Sequence, residues 1–221
     1  MLKTQELFDL SKTCASSLLS RCEYPWEALN RLKEYILLEG KKLPFDEFNE
    51  IEENVWVSKD VSISQNAVII GPAIIGRRTE IRTGAFIRGG VIIGMECVIG
   101  NSCEIKNSII FDCVQIPHFN YVGDSIVGYK AHMGAGAITS NIKSDKTLVS
   151  IRENENRYHT GLRKLGAMIG DGCEIGCNCV LNPGTVIGKN TNIYPLSSVR
   201  GTVDANCIYK ALDNIVPKHT K

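Results

Sequence analysis

From Val57 onward the same kind of side chain returns every sixth residue: Val57, Ile63, Ile69, Ile75, Ile81, Ile87, Ile93, Ile99, Ile105 and Phe111. A second lane, four residues on, is small or apolar throughout: Val61, Ala67, Ala73, Thr79, Ala85, Val91, Cys97, Cys103 and Ile109. Both lanes resume downstream, as Ile169, Ile175, Leu181, Ile187, Ile193 and Val199 beside Cys173, Cys179, Thr185, Thr191, Ser197 and Val203. Neither the period of a helix nor the alternation of a simple strand gives a repeat of six, whereas a solenoid of six-residue turns does. Three such units close a triangular coil of 18 residues, so residue n+18 stacks on residue n at ~4.8 Å. The spacing predicts an all-β solenoid, a parallel β-helix. Sixth-place aliphatics fill the prism, and small second-lane residues sit at tight corners where bulk would clash.

Three segments depart from the repeat. Residues 1–54 lack it: Leu7, Leu10, Cys14 and Leu18 fall on one helical face. A second helix is expected from Pro25 to Gly40, burying Trp26, Leu29, Leu32 and Ile36. The segment reads as a small α-helical N-terminal cap over the first open coil, whose unpaired edges invite aggregation, or else as an interface with another protein. Between Ile116 and Thr139 the register loosens, with five-residue steps from Phe111 to Ile116 and from Val122 to Val127. Faults of this kind in a regular solenoid mark places where function is fitted in. Residues 140–167 abandon the repeat and read as an inserted loop. The β-helix domain is therefore expected over 55–205, with a C-terminal tail over 206–221.

Composition narrows the setting. A chain of 221 residues holds one solenoid and a smaller appendage. Its net charge of +1 and pI near 7.5 do not suggest a nucleic-acid groove or an anionic membrane surface. Nine cysteines is an odd count, and four of them occupy the corner lane as small fillers. Lys3, Glu6, Asp9 and Lys12 interrupt the first apolar residues, so no signal peptide is visible, and the apolar run from Ala67 to Ile75 is broken by Gly71 and Pro72. A reduced, cytoplasmic protein is expected.

Candidate chemistry starts from Arg88 and Lys106, which are 18 residues apart and each follow an inward aliphatic. They should be outward neighbours on adjacent coils, and two cations ~5 Å apart repel unless something negative lies between them. Either they splay into solvent, or Glu104 supplies the anion, or the pair clamps a phosphate or carboxylate. His118 lies in the faulted coil. His118 and His132 are 14 apart and His159 is in the insert, a poor match to a three-histidine zinc site, so no metal is expected.

Several stretches carry a resemblance. The aliphatic-glycine pairs Ile75-Gly76, Ile93-Gly94, Ile99-Gly100, Ile175-Gly176 and Ile187-Gly188 resemble the hexapeptide-repeat fold. That resemblance implies a left-handed β-helix, although parallel crossovers generally favour the right hand. The run Gly84-Ala85-Phe86-Ile87-Arg88, then Glu104-Ile105-Lys106, then His118 to Asp124, then Met133 to Asn141 resembles one hexapeptide-repeat acyltransferase in particular. It is the C-terminal acetyltransferase domain of the bifunctional enzyme that makes UDP-N-acetylglucosamine from glucosamine-1-phosphate. Gly161 to Ala167 is similar to archaeal-type sugar-phosphate nucleotidylyltransferases that carry the same β-helix. The likeness covers about 55–205, and residues 1–54 are too few to be expected to hold a nucleotidyltransferase domain.

The resemblance implies specific roles. His118 is the general base; Arg88, Lys106, Tyr121 and Asn141 hold the sugar phosphate. His132 takes a substrate-facing position where the family has Asn, and Ile142 replaces a Tyr. Ala135, Cys177 and Pro195 line an acetyl-CoA groove, backbone N–H groups near Gly134 and Ala135 stabilise the oxyanion, and Lys146 stands near the family's basic residue. Arg163 and Lys164 are assigned to coenzyme A phosphates, the alternative being a solvated loop. The family is a homotrimer with each site between neighbouring prisms. The expected activity is acetyl-CoA-dependent N-acetyl transfer to an amino-sugar phosphate such as glucosamine-1-phosphate or galactosamine-1-phosphate. The alternatives are a non-catalytic sugar-phosphate-binding or regulatory β-helix subunit, and O-acetyl or longer-acyl transfer.

Overall fold

In a computed structural model, which describes residues 2–218, the chain winds into a left-handed parallel β-helix with three walls. The first wall has nine strands, the second nine and the third seven. The first wall shows the stacking clearly. Val57, Ile75, Ile93, Ile110, Val127, Ile169, Ile187 and Val203 lie in register on successive strands. Their side chains are buried in the prism.

The inward lane therefore passes through Ile110, where the spacing pointed to Phe111. The first five-residue step falls one turn earlier than expected, between Ile105 and Ile110. The corner between the third and first walls explains this. In the preceding coil that corner is Arg88-Gly89-Gly90, with both glycines at positive φ (58° and 73°). In the next coil a single left-handed residue, Asn107 (φ 44°), makes the turn, and one coil further Asp124 (φ 50°) does the same. Asn and Asp are the L-residues that tolerate this conformation best. Phe111 and Ile109 are thereby turned outward, and at the far end Val203 moves into the inward lane.

Outward residues of the first wall (Trp56, Ile74, Ile92, Ile109, Ile126, Met168 and Val186) are nonetheless all buried. Residues 2–54 cover this wall. Leu7, Phe8, Leu19, Trp26, Leu32 and Ile36 join the same apolar core, and the Phe8 ring packs on Phe111 with centroids 5.1 Å apart. Helix Leu32–Gly40 lies against strands Ala73–Ile75 and Val91–Ile93. The expected first helix is broken into the short turns Thr4–Leu7, Leu10–Lys12 and Ser16–Leu19. Breaks fall where polar groups turn to other partners: Asp9 accepts from Ser11 N, Thr13 from Ala15 N, and Asp9 N–H donates to the Asp171 carboxylate at 2.7 Å.

Two wall edges are closed by antiparallel strands. Strand Phe48–Glu52 pairs with Val55–Ser58 at the start of the first wall. The hairpin Cys207–Ala211 and Asn214–Pro217 ends the second wall, so part of the expected tail is ordered strand. Its last residues, 219–221, lie outside the described part. The insert is a packed excursion as well: Ser150–Glu153 and Asn156–His159 form an antiparallel hairpin, with Val149, Ile151 and Leu165 buried. Its strands were too short and too polar for alternation to reveal them. No helix among the described residues is long and apolar enough to cross a membrane.

Corner-lane residues are hydrogen-bond donors as well as fillers. Thiols of Cys97, Cys103, Cys173 and Cys179 donate to carbonyls of Phe111, Ile116, Gly188 and Tyr194 at 3.0–3.2 Å. Thr79 and Thr191 do the same through hydroxyls, to Gly94 and Asp204. Burial pushes the Cys97 and Cys173 thiols up to about 12, so they stay protonated. All nine cysteines are free.

Because Phe111 supports the covering segment, Phe111→Ala should lower unfolding free energy by about 3 kcal/mol or more in chemical denaturation. Phe119→Ala, at an exposed site, should change it little.

Candidate active site

Three strands of the third wall carry the site. In Phe86–Arg88, Glu104–Lys106 and Tyr121–Gly123, residues Phe86, Glu104 and Tyr121 stack in register, as do Ile87, Ile105 and Val122. Strand alternation sends the aliphatics inward and the flanking residues outward, so Arg88 and Lys106 stand on one wall as neighbours. Their repulsion is relieved by carboxylates of this chain. Arg88 Nε donates to Glu104 Oε1 at 2.6 Å, and its guanidinium lies 5.8 Å from the Phe86 ring. Lys106 Nζ lies 3.2 Å from Asp124 Oδ2.

Asp124 is the centre of this arrangement. Its side chain is only 6% exposed. Besides Lys106 it accepts from Asn107 Nδ2 at 2.8 Å and from Asn141 Nδ2 at 2.5 Å. Asn141 Nδ2 also donates to the Tyr121 hydroxyl at 3.1 Å. Gly123 leaves the room this needs, since a Cβ there would lie 2.4 Å from the Tyr121 oxygen. Burial, then the Asp124 and Glu104 charges, raise the Tyr121 pKa, so the phenol keeps its proton. The insert leaves and returns beside this network. Leu165 N donates to Asn141 O at 2.9 Å and Gly166 N to Asp124 O at 2.8 Å. A Cβ at Gly166 would fall 2.3 Å from Gly123 O.

His118 lies three residues before Tyr121, at the corner between the second and third walls, and its side chain is exposed. The turn there is fixed by Asn120, which is buried, accepts from His118 N at 3.1 Å and donates to the carbonyls of Gly134 and Ala137. Phe119 takes the left-handed conformation (φ 53°) and is 64% exposed. Above His118 the corner repeats: Gly136 N bonds His118 O, Asn178 N bonds Ala135 O, and Leu196 N bonds Cys177 O. His118, Ala135, Cys177 and Pro195 therefore climb one corner of the prism, as a groove along the solenoid axis requires. The Gly134 N–H, an expected oxyanion donor, is already given to Ile175 O at 2.7 Å. The Ala135 N–H donates to no group among the described residues.

Other expected site residues stand apart. His132 lies on the second wall, stacked between Gln115 and Glu174, with Nδ1 2.9 Å from Glu174 Oε2. It is outside the Asp124 network. Lys146, Arg163 and Lys164 are exposed on the insert; Lys164 bridges Ile142 at its neck. Asp124 and Asn107 were missed by sequence reasoning, although both sit at the two shortened corners. No group of three or more His, Cys, Asp or Glu among the described residues is placed to hold a metal ion.

The chain matches the family model described as GMPPB C-terminal domain over residues 69–153, which contain the Asp124 network, and bacterial transferase hexapeptide (six repeats) over 166–201. The "Uncharacterized acetyltransferase YaiX" of Escherichia coli is 36% identical over 182 residues, 74% of either chain. The "Bifunctional protein GlmU" of Methanocaldococcus jannaschii is 32% identical over 203 residues, which cover 89% of this chain and 48% of that one. Among solved structures, the UDP-N-acetylglucosamine O-acyltransferase LpxA of Moraxella catarrhalis shares 12% identity over 74% of this chain and 72% of its own, with a TM-score of 0.42. Repeat, fold and relatives together place the chain in the hexapeptide-repeat acetyltransferase family. It spans no more than about half the length of the bifunctional relatives it matches.

Removing a buried carboxylate strands its cation. Asp124→Ala should cost about 3 kcal/mol in thermal unfolding, and adding Lys106→Met should recover part of that loss. If the double variant is the less stable by the full sum of its parts, the two side chains are not coupled.

Proposed function

We propose that the protein is an acetyl-CoA-dependent N-acetyltransferase acting on an amino-sugar phosphate, glucosamine-1-phosphate and galactosamine-1-phosphate being the acceptors to test. One observation carries this reading: an exposed histidine beside a wall whose outward groups are two cations, a phenol and an amide. In this reading Arg88, Lys106, Tyr121 and Asn141 grip the sugar phosphate. Its negative oxygens take over N–H bonds now given to Glu104 and Asp124. The His118 imidazole takes the proton released as the sugar amine attacks the thioester carbonyl. Collapse of the tetrahedral intermediate breaks the C–S bond and leaves the amide, and the departing thiolate takes the proton held by His118 to give the thiol of coenzyme A. The Ala135 N–H is the oxyanion donor of this scheme.

Acetyl-CoA would lie along the corner of Ala135, Cys177 and Pro195, with the cations of the insert, Lys146, Arg163 and Lys164, reaching its phosphates. That corner is only one side of a groove. Its apolar rim, Phe119 and Leu196, is 64% and 79% exposed, which suits a neighbouring copy of the chain as the other side. A homotrimer is the assembly proposed. His132, at the edge of the same second wall, would then face the site of an adjoining copy and not that of its own prism.

Acetyl transfer should fall about 10²–10⁴-fold in His118→Ala, measured by thiol release from acetyl-CoA with either sugar phosphate. Equal rates in the two proteins would remove His118 from the mechanism. Calorimetry that finds sugar phosphate bound and acetyl-CoA not bound would instead identify a binding subunit. Arg163→Glu with Lys164→Glu should raise the KM for acetyl-CoA; an unchanged value places those cations outside the donor site.

A further inference from the structure

A second concentration of positive charge lies outside the Asp124 network. The insert hairpin folds back on the solenoid and encloses a cleft of about 510 Å³. Arg152 and Arg157 line it from the hairpin, Lys143 from the neck, and Arg200 from the solenoid corner, with Asn182, Pro183 and Gly184 between them.

The charges in this cleft are unbalanced. Arg152 and Arg157 are directly opposite across the hairpin and so share one face. Like charges in that relation destabilise a hairpin unless something negative lies between them. Arg200 comes from another element: Gly201 beside it is at positive φ (73°), and a Cβ there would lie 3.4 Å from Arg152 O. Hairpin and solenoid corner are thus in close approach. The one carboxylate lining the cleft, Asp145, is held by Lys143 at 3.2 Å and by Thr147. Among the described residues Arg157 donates only to the Ser150 hydroxyl, at 2.8 Å. Elsewhere on this surface Arg77, Arg78, Arg82 and Arg88 each pair with a glutamate. Arg152, Arg157 and Arg200 have no carboxylate partner among the described residues. Three arginines from two elements line one cleft, and guanidinium N–H groups suit the oxygens of adjacent phosphates.

We infer that this cleft is a binding site for the diphosphate group of a nucleotide, held by Arg152, Arg157 and Arg200. The site does not depend on acetyl transfer. Two sources share this chemistry: a nucleoside diphosphate, free or sugar-linked, and the diphosphate bridge of coenzyme A. Ser140 and Ile142 line the cleft and flank Asn141, so whichever molecule binds there abuts the Asp124 network.

The test is calorimetry on the full chain with inorganic pyrophosphate at moderate salt. Saturable binding is expected. It should weaken about tenfold or more in Arg152→Gln/Arg200→Gln and stay unchanged in Arg78→Gln, an arginine that is also exposed. Thermal unfolding of each variant verifies the fold, and the single Arg200→Gln, at an exposed position, serves if the double variant is unstable. Displacement of pyrophosphate by UDP would identify a nucleoside diphosphate, and displacement by coenzyme A the acyl donor. No saturation in the wild type, equal affinity in the arginine variants, or displacement by neither nucleotide would overturn the inference.

Discussion

A buried carboxylate must be matched by donors or it unfolds its surroundings. Asp124 meets that demand from the coils on either side of its own: Lys106 and Asn107 from the coil below and Asn141 from the coil above. The cluster therefore fixes the stacking of the coils that carry it, and it also orders the polar groups of the third wall. The same carboxylate coil accepts the returning insert through Gly166. Structure and candidate site depend on one ion pair and its amide neighbours.

The three walls are unequal, and the inequality determines where chemistry can take place. Residues 2–54 cover the first wall, and its outward positions from Trp56 to Val186 are apolar and buried. Along the third wall the outward positions around Arg88, Lys106 and Tyr121 remain polar and open. The shortened corners let this difference arise. Dropping one residue at Asn107 turns Phe111 out beneath Phe8, and dropping a second at Asp124 brings its carboxylate against Lys106. A local change in turn length thus serves the packing on one wall and the charge pattern on another.

Exposed ion pairs on this protein are worth little individually. Their distribution is the informative part. Around the first coils Arg77, Arg78, Arg82 and Arg88 are each paired with a glutamate, whereas among the described residues the hairpin of the insert and the last solenoid corner present arginines without one. The insert covers apolar surface through Val149, Ile151 and Leu165 and aims its polar face at a cleft. It links the site wall to the upper coils.

The fold was legible in the sequence because a triangular coil forces a period of six on any chain that fills it, and its inward positions are filled mainly by aliphatics. The stacking of Arg88 on Lys106 followed from the same arithmetic, whereas Ala135, Cys177 and Pro195 above His118 came from the family resemblance alone. Tertiary structure alone decided the rest. Phe111 matched the period and still points outward, since a one-residue deletion can be absorbed at any nearby corner and only the left-handed turn at Asn107 shows which. His132 fell on a different wall from Lys106, and the Gly134 N–H was already committed, because hydrogen bonds between coils join residues far apart in the chain. The role of Asp124 was hidden for the same reason: its partners come from the coils below and above its own, and no local pattern records which side chains three turns of a solenoid bring to one corner.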